Sequence, residues 1–333
     1  MELKSVEIPK KIDDFTNVSI SDLGMKTELN KDVTEICPKF GLGDFCTKQT
    51  NNNSNYKANI TINNKMEKKF EIEFLLNSEN KYLIENIEIN AMEQSKSTIV
   101  LKYQSDNDIT AYHNGSIRVN AKEGSVTNII ILNFLNKQST NLFYLENSID
   151  DNAKLNYFII DLGGKNSITN YYSNIIGKNA DNQLNAIYIG KDEEVIDLNY
   201  IAELWGEKSN INIEVQGALK DKAIKHFKGT IDFKRGCKKA TGNENENCML
   251  LSDSAKSLAL PMLLCSEEDV EGNHSTSSGK IGDKELFYIM SRGFEKKEAI
   301  KLMVKAKFNQ ILEKINDEAI RNHIVYEINN RLD

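Results

Sequence analysis

The densest group of chemically useful side chains lies between Cys265 and His274. The segment reads CSEEDVEGNH, so a thiol, an acidic run that starts at Glu267 and Glu268, and a histidine fall within ten positions. Soft thiolates suit iron and sulfide, and imidazole and carboxylate can complete an iron shell. A plainer reading makes the same stretch a polar corner between strands.

Cys237 and Cys248 flank KKATGNENEN. That composition reads as a flexible, exposed loop with both thiols in reach. Lys238 and Lys239 would favour the thiolate of Cys237. Cys248 precedes Met249, Leu250 and Leu251, and Cys265 ends an apolar run, so either could instead pack as a small hydrophobe. Cys37 and Cys46 stand apart and read as structural. His113, in HNGS, reads as a solvated turn; His226 and His323 read as structural or surface residues.

Other chemistry is poorly supported. GLGDF lacks the third glycine and the strand-to-helix context of a dinucleotide fingerprint. No GxxxxGK[ST], GxSxG or HExxH occurs, so the chain is not expected to hold ATP in a P-loop or to be an enzyme of hydrolase type. No CxxC occurs, which argues against a closed zinc site.

Three regions must position these groups. Residues 1–66 have sparse apolar positions. Residues 67–281 alternate apolar and polar in short bursts, as in Ile99, Leu101, Tyr103 and in Ile211, Ile213, Val215. Period two is the signature of a strand with one buried face. Asn114-Gly115 is the only hairpin pair of the Asn-Gly or Asp-Gly form, which favours a parallel β-helix over a hairpin-built sandwich. Residues 282–333 are helical. Asp283 is placed to cap a helix that Gly293 ends, and Ala299, Val304, Phe308, Ile311 and Leu312 then form a stripe at helical spacing.

The chain has 333 residues, 40% hydrophobic and 27% charged, with a net charge of -7. A nucleic-acid binder would normally carry a basic excess. No run approaches the roughly 20 apolar residues that cross a membrane. The start of the chain shows no apolar leader, and five cysteines is an odd number. Both fit a cytoplasmic protein with reduced thiols.

The run from Phe227 onward carries a more specific signal. Its ordered motifs are FKGTI (227–231), LLSD (250–253), the proline-led PMLLC (261–265), the acidic stretch before His274, GKI (279–281), LFY (286–288) and SRG (291–293). This order resembles the SufB/SufD scaffold proteins of iron–sulfur cluster assembly. The resemblance implies a right-handed parallel β-helix core, a C-terminal helical domain and a small N-terminal region. It implies a scaffold with no turnover of its own, working with a SufC-like ABC ATPase that binds the ATP. That ATPase would dock on Leu286, Phe287, Tyr288, Arg292 and Gly293. It further implies a transient iron–sulfur cluster, a sulfur donor, acceptor proteins and, as in larger complexes, room for a reduced flavin. His274 matches the family's assembly histidine. Ser275 departs from the pattern, because SufB-like members carry Glu there and SufD-like members Gly. Cys248 falls within two positions of the SufB assembly cysteine but not on it. Cys265 resembles the cysteine of short, single-gene members with a Cys-x-Glu-Glu-Asp-Val-Glu-Gly run. The expected arrangement is therefore a homodimer through the β-helix. Cys265, His274, Glu267 and Glu268 would be its cluster ligands, and Cys237 and Cys248 secondary candidates. A structural adaptor of the same ATPase, holding no cluster, is the alternative.

Overall fold

A computed structural model describes residues 12–22 and 27–333; the start of the chain, expected to lack a leader, falls outside the described residues. Two short strands, β1 (Val18–Asp22) and β2 (Thr27–Asn30), precede helix α1 (Asp44–Asn52). Sixteen strands follow. They are β3 (Tyr56–Ile62), β4 (Lys68–Leu76), β5 (Tyr82–Ala91), β6 (Lys96–Ser105), β7 (Tyr112–Ala121), β8 (Val126–Phe134), β9 (Thr140–Ile149) and β10 (Lys154–Asp161). The second half holds β11 (Asn166–Ile175), β12 (Asp181–Gly190), β13 (Val195–Leu204), β14 (Asn210–Leu219), β15 (Ile224–Phe233), β16 (Ala240–Leu250), β17 (Lys256–Cys265) and β18 (Val270–Lys280). Helices α2 (Asp283–Ser291), α3 (Lys296–Leu312) and α4 (Glu318–Leu332) close the chain.

From β3 onward the even strands stack in one sheet and the odd strands in the other, each parallel to its neighbours. The result is a flattened parallel β-solenoid of about eight turns. Its winding begins at β3, ahead of the boundary expected at residue 67, because the polar Asn51–Asn55 belongs to α1 and the turn after it. One coil takes 26 residues between Thr140 and Asn166 and 32 between Ile224 and Lys256. The corners explain why no hairpin pairs are needed. Gln94, Asn152, Asn179, Lys208 and Lys239 take positive φ near 50–60° at one corner, with Gly124 in the same role. Each N–H there donates to a carbonyl of the next coil, as Asn152 does to Lys178 at 2.8 Å. At Gly206 the coils approach so closely that a Cβ would sit 1.8 Å from the Gly177 carbonyl oxygen.

Inside, alternate residues of both sheets meet in a continuous core with an aromatic column: Tyr157, Tyr171, Tyr200 and Phe227 pack edge to face at 5.2–6.1 Å. Several strands of the even sheet are apolar on both faces, as in Ile129–Leu132 and Phe158–Ile160. A strand of that kind needs cover on its outside as well. Helices α3 and α4 supply it: Val304, Phe308, Ile311, Ile324 and Ile328 pack on Ile130, Phe158, Ile160, Ile187 and Ile189. Lys69–Asp317 at 3.0 Å, Lys314–Asn185 at 2.8 Å and the Arg331–Glu194 pair fasten the same contact. The expected C-terminal helical domain is therefore not a separate bundle: α3 and α4 share a core with the solenoid, and α2 alone has no buried residue. The odd sheet is covered near its start by α1, through Cys46 against Ile84, Tyr112, Leu142 and Ile168.

Two expectations fail inside the solenoid. His113 is not solvated, and Asn114-Gly115 is not a turn; all three lie within β7, with His113 fully buried. Gly115 is there because a Cβ would fall 2.6 Å from Glu85 Oε1 and 2.7 Å from His113 Nε2. A buried polar chain runs on from this point. The Tyr103 hydroxyl donates to Glu85 at 2.6 Å, and His113 Nδ1 meets Asn141 Oδ1 at 2.7 Å. The Asn141 amide donates to Ser167 at 3.0 Å, and the Ser167 hydroxyl donates to Asp161 at 2.6 Å. Burial raises the Asp161 carboxyl from 3.8 to about 6, although hydrogen bonds from Ser167 and Asn133 oppose the shift. The folded chain thus holds a proton that the unfolded chain releases near 3.8, so stability falls as pH rises through this window. The loss is on the order of 2 kcal/mol. Urea midpoints between pH 4 and 7 should fall with a slope that Asp161→Asn reduces.

Candidate functional site

The last coil, β17 and β18, ends both sheets. Among the described residues no strand pairs with either outer edge. In β17 the register on β15 sets Ala259, Pro261, Leu263 and Cys265 in line with Phe227, Gly229, Ile231 and Phe233. Phe227, Ile231 and Phe233 are core residues, so this row faces inward. The other row, Leu258, Leu260, Met262 and Leu264, faces outward and is 41–56% exposed. Four large apolar side chains in one exposed row are a surface that expects a cover.

In β18 the register on β16 pairs Gly272 with Gly242, His274 with Glu244 and Ser278 with Cys248. His274 therefore points toward the solenoid interior at its open mouth and is exposed only because no further coil lies above it. A Cβ on Gly272 would meet Leu263, which places Pro261 across from His274. Cys265 lies four residues along β17 from Pro261, or about 13 Å at ~3.3 Å per residue. The structure does not bring Cys265 and His274 together within one chain. Among the described residues no group of three His, Cys, Asp or Glu side chains is set to hold a metal ion.

Cys265 has other neighbours. Its thiol is exposed and reaches the Glu267 carbonyl oxygen at 2.9 Å. Glu267 accepts from the Gly236 N–H at 2.8 Å, a contact that holds its carboxyl below the ordinary value. Glu268 is exposed, and its N–H donates to Glu267 at 3.1 Å. Cys237 lies close to this corner, but it is buried, and burial, with Glu267 adding to it, raises its thiol to about 11. The expectation of a reachable loop thiol favoured by Lys238 and Lys239 is overturned. The reason is that KKATGNENEN is not a loop: from Ala240 it is the strand β16. Its asparagines and Thr241 face outward and join side-chain ladders, as Asn245 does with Glu214 at 3.0 Å and Asn273 with Asn243 at 3.0 Å. Gly242, Glu244, Glu246 and Cys248 face inward.

This inward row forms a polar cluster that the sequence reading missed. Lys225 and Glu246 are fully buried and pair at 2.8 Å, and the Tyr188 hydroxyl donates to Glu246 at 2.8 Å. Cys248 lies against this group, its thiol raised chiefly by burial. Glu244 is 2% exposed and neither of its carboxylate oxygens has a hydrogen-bond partner. Burial, then the charge of Glu246, raises Glu244 to about 7. Its carboxylate lies against Gly229, where a Cβ would be 2.0 Å away. The period-two spacing of Gly242, Glu244, Glu246 and Cys248 was the available signal.

The expected docking residues lie on α2. Phe287 is 74% and Tyr288 59% exposed, and Leu286 is half-buried. Arg292 stacks on the Tyr288 ring at 5.1 Å, and Gly293 ends the helix at φ 100°. A groove between α2 and α3 is lined by Tyr288, Ile289, Met303 and Ala306. Exposure sorts the five thiols cleanly. A colorimetric thiol reagent should label Cys37 and Cys265 fast in the native protein and leave Cys46, Cys237 and Cys248 protected until urea unfolds it.

Comparison with known proteins matches the chain to a family. The model for the SUF system FeS cluster assembly SufBD core domain matches residues 74–307, more than two thirds of the chain. The iron–sulfur cluster assembly protein SufD of Bacillus subtilis is 24% identical over 180 residues, covering 54% of this chain and 41% of that protein. A SufBD family protein of Pyrococcus horikoshii is 31% identical over 172 residues, covering 51% and 37%. SufD of Escherichia coli is 22% identical over 244 residues, covering 73% and 58%. The chain thus spans about two to three fifths of the length of these relatives. No helix among the described residues is long and apolar enough to cross a membrane. With a matched core that runs from the end of β4 into α3, the chain belongs to the SufB/SufD family of iron–sulfur cluster assembly proteins.

Proposed function

We propose that this protein is a scaffold subunit of a SUF-type assembly complex, on which iron and sulfide are held as a nascent cluster before transfer. The observation that carries this reading is the uncapped last coil, where Cys265 and His274 stand exposed beside an apolar row. Two copies would meet there, edge to edge, in the manner of an isologous C2 interface. Cys265 and His274 of both copies, with Glu267 and Glu268 near Cys265, would supply the ligands. Cys237 and Cys248 become available only if the coil opens. A SufC-like ABC ATPase would dock on α2 and hold the ATP, so that its cycle loosens the mouth of the solenoid. The work would take place in the cytoplasm with a separate sulfur donor and acceptor proteins.

A second reading has its own support. One chain gathers no three-ligand group among the described residues, which suits an adaptor that binds the ATPase and holds no cluster.

Two experiments decide. The chain purified with a SufC-like ATPase and reconstituted anaerobically with iron and sulfide should gain cluster absorbance. Cys265→Ser and His274→Ala should each reduce the yield about tenfold or more. Normal ATPase binding with no absorbance would leave the adaptor reading. Separately, Phe287→Ala combined with Tyr288→Ala should abolish co-purification of the ATPase while leaving the melting temperature unchanged, since neither side chain is buried.

A further inference from the structure

We propose that the corner following β11, β13 and β15 is a docking surface for a short acidic segment of a partner protein, one that carries an apolar side chain among its carboxylates. The inference does not depend on what the last coil holds. The chain has a net charge of -7, yet this corner is basic. Asn179, Lys208 and Lys239 stack there in consecutive coils, because the Asn179 N–H donates to the Glu207 carbonyl and the Lys208 N–H to that of Lys238. Lys178, Glu207 and Lys238 form the column beside them, and all six residues are exposed. Lys178 is paired with Glu207 at 3.3 Å, and Lys234 with Asp232 and Glu203. Among the described residues Lys208, Arg235, Lys238 and Lys239 form no ion pair, so four cations lie open together.

An apolar pair adjoins them. Ile176 and Trp205 hold the first corner position of successive coils, their N–H groups donating to Ile149 at 3.1 Å and Ile175 at 2.8 Å. Each is 46% exposed. Lys234 holds the same position one coil on, and its ammonium stands over the Trp205 ring at 5.5 Å, so the apolar and cationic parts of the surface meet there. The ends are set by repulsion. One coil earlier the corner carries Asp150 and Asp151, and one coil later Glu267, Glu268 and Asp269. Three coils at about 4.8 Å leave roughly 10 Å between these carboxylates, the length of three or four extended residues at ~3.3 Å each. A nucleic-acid strand would carry its phosphates past both acidic ends, and Ile176 offers no ring for a base. A short acidic peptide stops inside them, places its carboxylates on the four free cations and its apolar side chain on Ile176 and Trp205. The flanking acids then discriminate against longer polyanions by placing like charges in their path.

Trp205 is the only tryptophan of the chain, so its emission reports on this surface alone. The test titrates the full chain at low salt with a short synthetic peptide of glutamates around one leucine. The emission should change saturably, and raising the salt should weaken binding because exposed charges are screened. Replacing the peptide's glutamates by glutamine should abolish binding, and replacing its leucine by alanine should weaken it. Arg235→Glu combined with Lys238→Glu should weaken binding about tenfold or more, with the melting temperature unchanged because both side chains are exposed. Ile176→Ser, followed by anisotropy of a labelled peptide, should weaken it severalfold. No saturable change in emission would overturn the proposal. So would equal binding of the glutamine peptide, or unchanged affinity in the charge-reversed variant. Tighter binding of an oligothymidylate of the same charge would replace the acidic segment with a nucleic acid and overturn it as well.

Discussion

A side chain inside a two-sheet solenoid meets its own coil and the coils one or two steps above and below. Every interior position is one step in a column, and the columns are fixed by parallel register. A polar group placed inside must therefore find its partner within one or two coils, because an unpaired buried ion costs several kcal/mol. The molecule obeys this along most of its length. Glu85 is met by Tyr103 and His113, Asp161 by Asn133 and Ser167, and Glu246 by Tyr188 and Lys225. At the last coil the columns run out. His274 and Cys265 have no coil above them, and Glu244 has no partner from below. The proposed site sits where this repeating logic stops.

The two outer faces are treated differently, and this separates stability from interaction. The even sheet carries α3 and α4 on an apolar face, with buried side chains from both partners and charged ties at Lys69, Lys314 and Arg331. These helices belong to the fold. Helix α2 follows the last strand closely, keeps Phe287 and Tyr288 in solvent, and packs along a groove with α3. A load applied to α2 reaches β18 through two residues, Ile281 and Gly282. That is a short mechanical path from the surface helix to the strand bearing His274.

Much of this was legible in the sequence. Strict alternation marked most strands, the stripe from Ala299 to Leu312 marked α3, and the ordered motifs after Phe227 marked the family. Asp283 was placed to cap α2 but is that helix's first residue, after the N-cap Gly282, and no side chain caps the end. The larger misses share one cause. Composition was allowed to stand for location, so NENEN was read as a loop and HNGS as a turn. Both are strands, because polar side chains can face inward when a neighbouring coil supplies the complement, and outward in amide ladders when it does not. Lys225 and Glu246 are 21 residues apart in sequence and touch because β15 and β16 face each other across the solenoid interior. Nor does spacing reveal that Cys265 and His274, close in sequence, lie on opposite sheets and apart along the strand axis. That needs the register.

The two ends of the stack are not equivalent. At the first coil, β1 and β2 turn back antiparallel against β4 and β3, and they are only five and four residues long. Short reversed strands make a poor template for another chain. The far end has full-length strands, parallel to the rest, with no strand against them among the described residues. A body with one blunt end and one open end can join end to end once and then has no free template left. The same asymmetry that leaves the last coil open thus limits polymerisation, because a protein built largely of stacked strands offers a single template from which to grow.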